Sequence, residues 1–181
     1  MVLARLPPVP PGREGLTTAD SRAADLTTPP RRDRIGAMKS EMPQAVEALK
    51  SIVEMELAGV VRFTHYALMV RGPYRLPIVA FLQQQASESL LHAQRAGEIM
   101  TGLGGHPSMR ISKIEETGQH AIKDILEESW AHEKRAIELY RSLLDVVAGK
   151  NIFLEEYARS MVAAEEEHVM ELTKMVRDFE D

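Results

Sequence analysis

Glutamate and histidine side chains recur in this sequence at spacings that suit a metal site. Glu165 and His168 are three residues apart, so they lie on one face of a helix. Glu56 precedes His92 by 36 residues and Glu133 precedes His168 by 35, so the two halves of the chain repeat one arrangement. Cysteine is absent, and carboxylates combined with imidazoles suit iron, manganese or zinc. We therefore expect chemistry based on divalent metal ions.

These residues occupy the inward positions of four segments with helical periodicity. In each segment, a seam that advances alternately by three and four residues is apolar at both ends and polar in the middle. An ionised glutamate in a dry core is costly unless a counter-charge meets it, and the seams carry no lysine or arginine. The four positive charges of two divalent cations would balance four carboxylates, which are the three glutamates of the seams and one more. The apolar seam positions, Trp130 among them, are predicted to be core. The polar positions are Glu56, Gln85, Ser89, His92, Glu133, Glu165 and His168.

The elements that must position these side chains are four long helices. Strand-like alternation is absent, which predicts an all-α fold. The first-to-second and third-to-fourth connections are short, so each pair forms an antiparallel hairpin. The middle connection, roughly 106–117, is long enough to return along a whole helix. A four-helix bundle with one long crossover between helices two and three is predicted. The predicted helices are about 43–71, 77–103, 119–148 and 152–178.

Composition and charge indicate how the chain is divided and which partners and locations suit it. Residues 1–37 form a basic, proline-rich tail without hydrophobic periodicity, which we expect to be disordered, and residues 38–181 form the bundle domain. The net charge of −5 argues against nucleic acid as the main partner and suits cations better. No apolar run is long enough to cross a membrane, and prolines interrupt any signal-peptide pattern. We expect a soluble, cytoplasmic protein.

Three stretches carry a resemblance to a known family. ELAGVVRFTHYAL, ESLLHAQRAGEIMTGLGG and AEEEHVMELTKM resemble bacterioferritins and related ferritin-like di-iron carboxylate proteins, over about residues 43–178. The resemblance implies a ferritin-like bundle and a dinuclear iron site. It implies that Glu56 and Glu133 are terminal ligands, that Glu165 bridges the two irons, and that His92 and His168 each bind one iron.

The sequence departs from the family pattern in the second helix. The family has a glutamate three residues before the histidine, where this chain has Ser89, with Glu88 beside it. On a helix, Glu88 lies about 40° to one side of His92 and Ser89 about 60° to the other. Charge balance favours Glu88 as the fourth carboxylate. The alternative is a solvated Glu88 and a site with three carboxylates.

Two further departures concern haem and assembly. Bacterioferritins use a methionine two residues before that histidine to bind haem, and Leu90 occupies this position, so haem is not expected. They also have a fifth helix that lines the fourfold axis of a 24-subunit cage. Only 13 residues follow His168, so we do not expect that helix or a closed cage. A homo-oligomer, a dimer or larger, is still expected.

Other polar side chains have simpler interpretations. Tyr140 lies on a seam near Glu133, where it would either hydrogen-bond a ligand, donate an electron or fill the core. The histidines off the seams are expected to have surface or hydrogen-bonding roles; these are His65, His106, His120 and His132.

The resemblance implies a ferroxidase, in which Fe(II) is oxidised by O₂ or peroxide for iron storage or detoxification. Two alternatives remain open. The same ligands support a di-iron oxygenase or oxidase, which would need an apolar pocket for an organic substrate beside the metals. A metal-stabilised interaction module without enzymatic activity would use the site only for its structure.

Overall fold

A computed structural model describes residues 42–177, and four long helices account for most of them. They are α1 (Pro43–Met69), α2 (Arg75–Gly102), α3 (Ile122–Val147) and α4 (Ile152–Arg177). The described part of the chain contains no strand. The all-α bundle with one long crossover is therefore confirmed. The predicted tail, residues 1–37, lies outside the described residues.

The helix ends follow local sequence signals. Gly72, after α1, has φ 99° and Gly149, after α3, has φ 69°, a left-handed backbone conformation that glycine adopts without strain. Asn151 starts α4, because its side-chain oxygen accepts a 3.0 Å hydrogen bond from the Leu154 backbone N–H. These short turns pair α1 with α2 and α3 with α4 as two hairpins.

The crossover between α2 and α3 runs from residue 103 to 121 and is tied to α1 along its length. The Ser112 backbone N–H donates a 2.8 Å hydrogen bond to the carbonyl of Glu54. Further along, Arg62 Nη2 donates a 3.4 Å hydrogen bond to the carbonyl of Glu115. The connection is thus packed against the first helix.

The apolar core consists of two clusters, one towards each end of the bundle. On α1, one cluster extends to Val53 and the other starts at Phe63. Glu56 lies between them in sequence and is buried. Gln85 and Ser89 of α2 are also buried. A buried polar layer therefore separates two apolar halves.

The prediction that Trp130 lies in the core is wrong. Trp130 is 38% exposed, and its indole N–H donates a 3.1 Å hydrogen bond to Thr173 Oγ1. The inward position of that turn is Ser129, which is fully buried and bonds the Ile125 carbonyl at 2.7 Å. Ser129 is four residues before Glu133 and Trp130 is three residues before it. The position four residues back faces the interior, and the small serine side chain occupies it.

Candidate metal centre

The polar layer brings together carboxylates and imidazoles from all four helices. Glu56 of α1, Glu133 of α3 and Glu165 of α4 are each at most 4% exposed. His92 of α2 and His168 of α4 are half-buried beside them. Their rings stack with centroids 6.4 Å apart and an interplanar angle of 17°.

Glu56, His92 and Glu165 form a first cluster, in which one potential ligand atom of each residue lies within 4.8 Å of the others. His92 Nδ1 lies 2.9 Å from Glu165 Oε1 and 3.5 Å from Glu56 Oε1. The cluster therefore joins α1, α2 and α4 around the inner nitrogen of one imidazole.

Glu133, Glu165 and His168 form a second cluster within the same limit of 4.8 Å. His168 Nδ1 lies 3.1 Å from Glu165 Oε2, the other oxygen of the carboxylate that contacts His92. Glu165 thus belongs to both clusters and presents one oxygen to each histidine.

Burial and mutual contact shift the protonation of these groups. Burial raises the pKa of Glu133 well above its ordinary value, and the neighbouring Glu165 raises it further. Burial also raises the pKa of Glu56. Burial alone would lower the pKa of His92, but its contacts with Glu165 and Glu56 raise it to about 10. The metal-free site therefore holds protons where cations would otherwise balance the carboxylates.

The donor set fits a divalent transition metal ion. Among the described residues, no lysine or arginine pairs with Glu56, Glu133 or Glu165. Glu165 Oε1 is buried and lacks a hydrogen-bond partner there, because its short contact with His92 does not have hydrogen-bond geometry. A buried carboxylate oxygen without a donor is costly, and a metal ion would satisfy it.

Glu88 and Ser89 take different places around this centre. Glu88 Oε2 lies 3.1 Å from His168 Nε2, the nitrogen that faces away from Glu165, and Gln85 donates a 3.1 Å hydrogen bond to the same oxygen. Neither three-residue cluster includes Glu88. Ser89 is buried against α1, where a Cβ atom on Gly59 would lie 2.8 Å from its hydroxyl oxygen. In this geometry Glu88 contacts the centre through an imidazole.

Tyr140 of α3 is fully buried, and its hydroxyl donates a 2.7 Å hydrogen bond to Glu56 Oε1. Burial raises the pKa of Tyr140, and so does the charge of Glu56, so the phenol remains a donor throughout the neutral range. Two interpretations drawn from sequence agree with this position, namely a core side chain with its hydroxyl satisfied and a hydrogen bond to a candidate ligand.

A cavity of about 530 Å³ opens beside the second cluster. Glu88 and His168 form part of its wall, together with Glu167 and Glu171. Three carboxylates around one opening create a negative potential that attracts cations.

Two buried polar residues near the centre were not anticipated from sequence. His132 was expected at a surface or in a hydrogen bond, but it is 3% exposed and packs edge-on against Phe63 with centroids 5.5 Å apart. Burial lowers the pKa of His132 to about 4, which keeps the ring neutral. Arg62 is 4% exposed and pairs with Glu128 at 3.3 Å. Each of these two residues comes one position before a seam residue, so its spacing does not predict burial. Contacts with neighbouring helices bury both side chains.

Comparison with known proteins agrees with this architecture. The ferritin-like domain of the ferritin family matches residues 46–181, so the chain belongs to that family. The resemblance expected from sequence is thereby confirmed. No curated protein matches the sequence at a significant level. None of the described helices combines the length and apolar character needed to cross a membrane.

Solved structures share the fold at low sequence identity. A ferritin-like, diiron-carboxylate protein from Bacillus anthracis is 24% identical, with a TM-score of 0.69 over 74% of this chain and 95% of that chain. A dodecameric thioferritin, the bacterioferritin-related protein of Bacteroides fragilis, is 19% identical, with a TM-score of 0.71 over 82% and 94%. Desulfovibrio desulfuricans bacterioferritin, whose diiron site was examined in several catalytic states, is 21% identical, with a TM-score of 0.68 over 79% and 84%.

Proposed function

We propose that this protein binds two Fe(II) ions in the polar layer and oxidises them to Fe(III), with O₂ or peroxide as the electron acceptor. The observation that carries the proposal is that Glu165 belongs to two clusters at once, presenting one oxygen to each. A carboxylate so placed can bridge two ions. Each Fe(II) supplies one electron, so an adjacent pair delivers the two electrons that reduce O₂ to peroxide.

The proposed ligands follow from the contacts. Glu56 and His92 serve one ion, Glu133 and His168 serve the other, and Glu165 bridges them. Each histidine turns its Nδ1 towards Glu165, which leaves Nε2 free for a second contact. On His168 that contact is Glu88, in the arrangement by which carboxylates orient metal-binding imidazoles. The prediction that Glu88 itself supplies a fourth carboxylate remains a prediction.

Oxidation of iron is favoured over oxidation of an organic substrate by the cavity beside His168. A pocket for an organic substrate is expected to place only a few polar groups among apolar side chains. The wall of this cavity has apolar side chains, including Phe81 and Met170, but it also holds the three carboxylates described above together with Gln84 and Lys174. Such a surface suits the entry of a hydrated cation. The related proteins from Bacillus anthracis and Desulfovibrio desulfuricans, both described as diiron proteins, give the proposal further support.

We also propose that the chain acts as a homo-oligomer in iron storage or detoxification. Large apolar side chains are exposed on the outer faces of α1 and α2, namely Val61, Leu68, Leu90 and Leu91. Such side chains are typical of contact surfaces when they lie together. Light scattering after size exclusion should give a mass above that of one 20.2 kDa chain. A monomer at micromolar concentration would contradict this part of the proposal.

The central test is an anaerobic Fe(II) titration followed by exposure to O₂. We expect two irons per chain and a ferric absorption band in the near ultraviolet after O₂ is added. His168→Ala should lose the band, whereas His106→Ala, which changes an exposed histidine in the crossover, should retain it. Fe(II) that binds at two per chain but is not oxidised faster than in buffer would overturn the ferroxidase proposal.

A further inference from the structure

A second cluster of potential metal ligands lies outside the polar layer, where the crossover approaches α1. It contains His65 of α1 with Glu116 and His120 of the crossover, and one potential ligand atom of each lies within 4.8 Å of the others. His65 is nine residues beyond Glu56, which is about 13 Å along the helix axis and half a turn round from it. The cluster is therefore separate from the candidate iron centre.

The inner atoms of this cluster are desolvated but unsatisfied. His65 Nε2 and His120 Nε2 are both buried, and neither has a hydrogen-bond partner among the described residues. His65 Nε2 lies 3.4 Å from Glu116 Oε1, without hydrogen-bond geometry. The two rings lie with centroids 5.7 Å apart. Two buried imidazole nitrogens without partners, in one cluster with the exposed carboxylate of Glu116, form an environment that a cation would satisfy.

Neighbouring contacts hold the crossover in place at this point. The carbonyl of Glu115 accepts a hydrogen bond from buried Arg62, and the hydroxyl of Thr117 donates one to Glu128. Glu128 also pairs with Arg62 at 3.3 Å and accepts a hydrogen bond from Tyr66. Glu116 is therefore flanked by two anchored residues, which limits how far its carboxylate moves from His65.

We propose that His65, Glu116 and His120 bind one Zn²⁺ ion, which fastens the crossover to α1. Two imidazoles and one carboxylate are a common ligand set for Zn²⁺, with solvent in the fourth position. Bonds of about 2.0–2.2 Å require ligand atoms roughly 3.3 Å apart, so modest side-chain rotations close the cluster. The carboxylate of Glu116 supplies a negative charge that favours a cation at this position.

The test is a Zn²⁺ titration of the full-length protein by calorimetry, with bound metal counted by elemental analysis. His120→Asn and Glu116→Gln should each reduce the count by one Zn²⁺ per chain, or weaken that step at least tenfold. His106→Asn is the matched control, because it removes an exposed histidine of the same crossover, and it should leave the count unchanged. Circular dichroism melts in EDTA check that each variant folds.

A second set of variants, made in the Glu133→Ala protein, distinguishes Zn²⁺ bound at this site from Zn²⁺ bound at the candidate iron centre. Glu133→Ala removes ions from the polar layer, and adding His120→Asn should still remove one further Zn²⁺. A Zn²⁺ count that neither His120→Asn nor Glu116→Gln changes would overturn this proposal and leave the iron centre unaffected. Trypsin gives an independent readout, because Zn²⁺ should slow cleavage at exposed Lys113 in the wild type but not in His120→Asn. Equal protection of both proteins would contradict the fastening role.

Discussion

Glu88 and His168 contact each other across the α2–α4 interface, with Glu88 Oε2 3.1 Å from His168 Nε2. The inner nitrogen of the same imidazole lies 3.1 Å from Glu165. The ring is thus held from both sides, by one carboxylate of the candidate iron centre and one outside it. This relationship gives Glu88 a role that spacing along the helix does not reveal.

Replacement of Glu88 therefore distinguishes an orienting residue from a ligand. If Glu88 orients His168, Glu88→Ala should retain two irons per chain with an affinity about 10–100-fold lower. If Glu88 is the fourth carboxylate, the same variant should lose iron stoichiometry. Anaerobic Fe(II) titration separates these outcomes. Ser89→Ala is the control and should behave like the wild type, and iron loss in Ser89→Ala alone would contradict both roles.

Glu133→Ala and His168→Ala should each abolish dinuclear binding, because no neighbouring side chain can replace the lost ligand. The metal-free Glu133→Ala protein should melt at the same or a higher temperature, since the substitution removes the cost of burying a carboxyl group beside Glu165. Glu156→Ala, an exposed change on α4 away from the cavity, is the control for both measurements. Retention of two irons in both ligand variants would refute the site assignment.

Metal affinity should decrease as the pH falls. Contacts with Glu165 and Glu56 raise the pKa of His92 to about 10, and contact with Glu165 raises the pKa of His168. An imidazole must lose its proton to bind metal, so binding should release at least about one proton, from His92, and affinity should fall at least about tenfold per pH unit as the pH decreases below about 10. Calorimetry of the His120→Asn variant with Zn²⁺, in buffers of different ionisation enthalpy, measures the protons released at the candidate iron centre without a contribution from the crossover cluster. A heat that does not depend on the buffer would show that the histidines bind no metal.

Tyr140→Phe should cost about 1–2 kcal/mol of stability in the metal-free protein, because Glu56 Oε1 loses its buried donor. Tyr157→Phe is a matched control, since the Tyr157 hydroxyl is buried without a hydrogen-bond partner and the ring is retained. Thermal or urea denaturation compares the two. Equal losses of stability in the two variants would show that the Tyr140–Glu56 hydrogen bond makes no net contribution to the free energy of unfolding.

Gly59→Ala should destabilise the bundle by about 1–3 kcal/mol. A Cβ atom at Gly59 would lie 2.7 Å from His132 Nε2 and 2.8 Å from Ser89 Oγ, so these two buried side chains would have to shift within the core. Gly97→Ala, in open space on α2, should instead stabilise the protein by about 0.5–1 kcal/mol through helix propensity. Urea denaturation of both variants tests the contrast, and a stabilised Gly59→Ala would contradict the close approach of α1 and α2.

Sequence periodicity predicted the number of helices, their pairing and their ends to within three residues. It also indicated the buried glutamates, because apolar seams make a polar interruption conspicuous. It misplaced Trp130, since positions three and four residues before Glu133 are equally compatible with a helical seam. The contact between His65 and His120 could not be predicted from periodicity, because it depends on where the long crossover packs against the first helix.

The sharing of Glu165 has a consequence for the order in which the molecule assembles. One complete cluster, formed by Glu133, Glu165 and His168, lies on the second hairpin alone. The other cluster combines Glu56 and His92 of the first hairpin with Glu165 of the second, so it forms only when the two hairpins are in contact. During folding in the presence of metal, we expect the second hairpin to capture an ion before the two hairpins dock, and docking to complete the other position. With His120→Asn added to exclude the crossover cluster, stopped-flow refolding should then accelerate with Zn²⁺ in Glu56→Ala but not in Glu133→Ala.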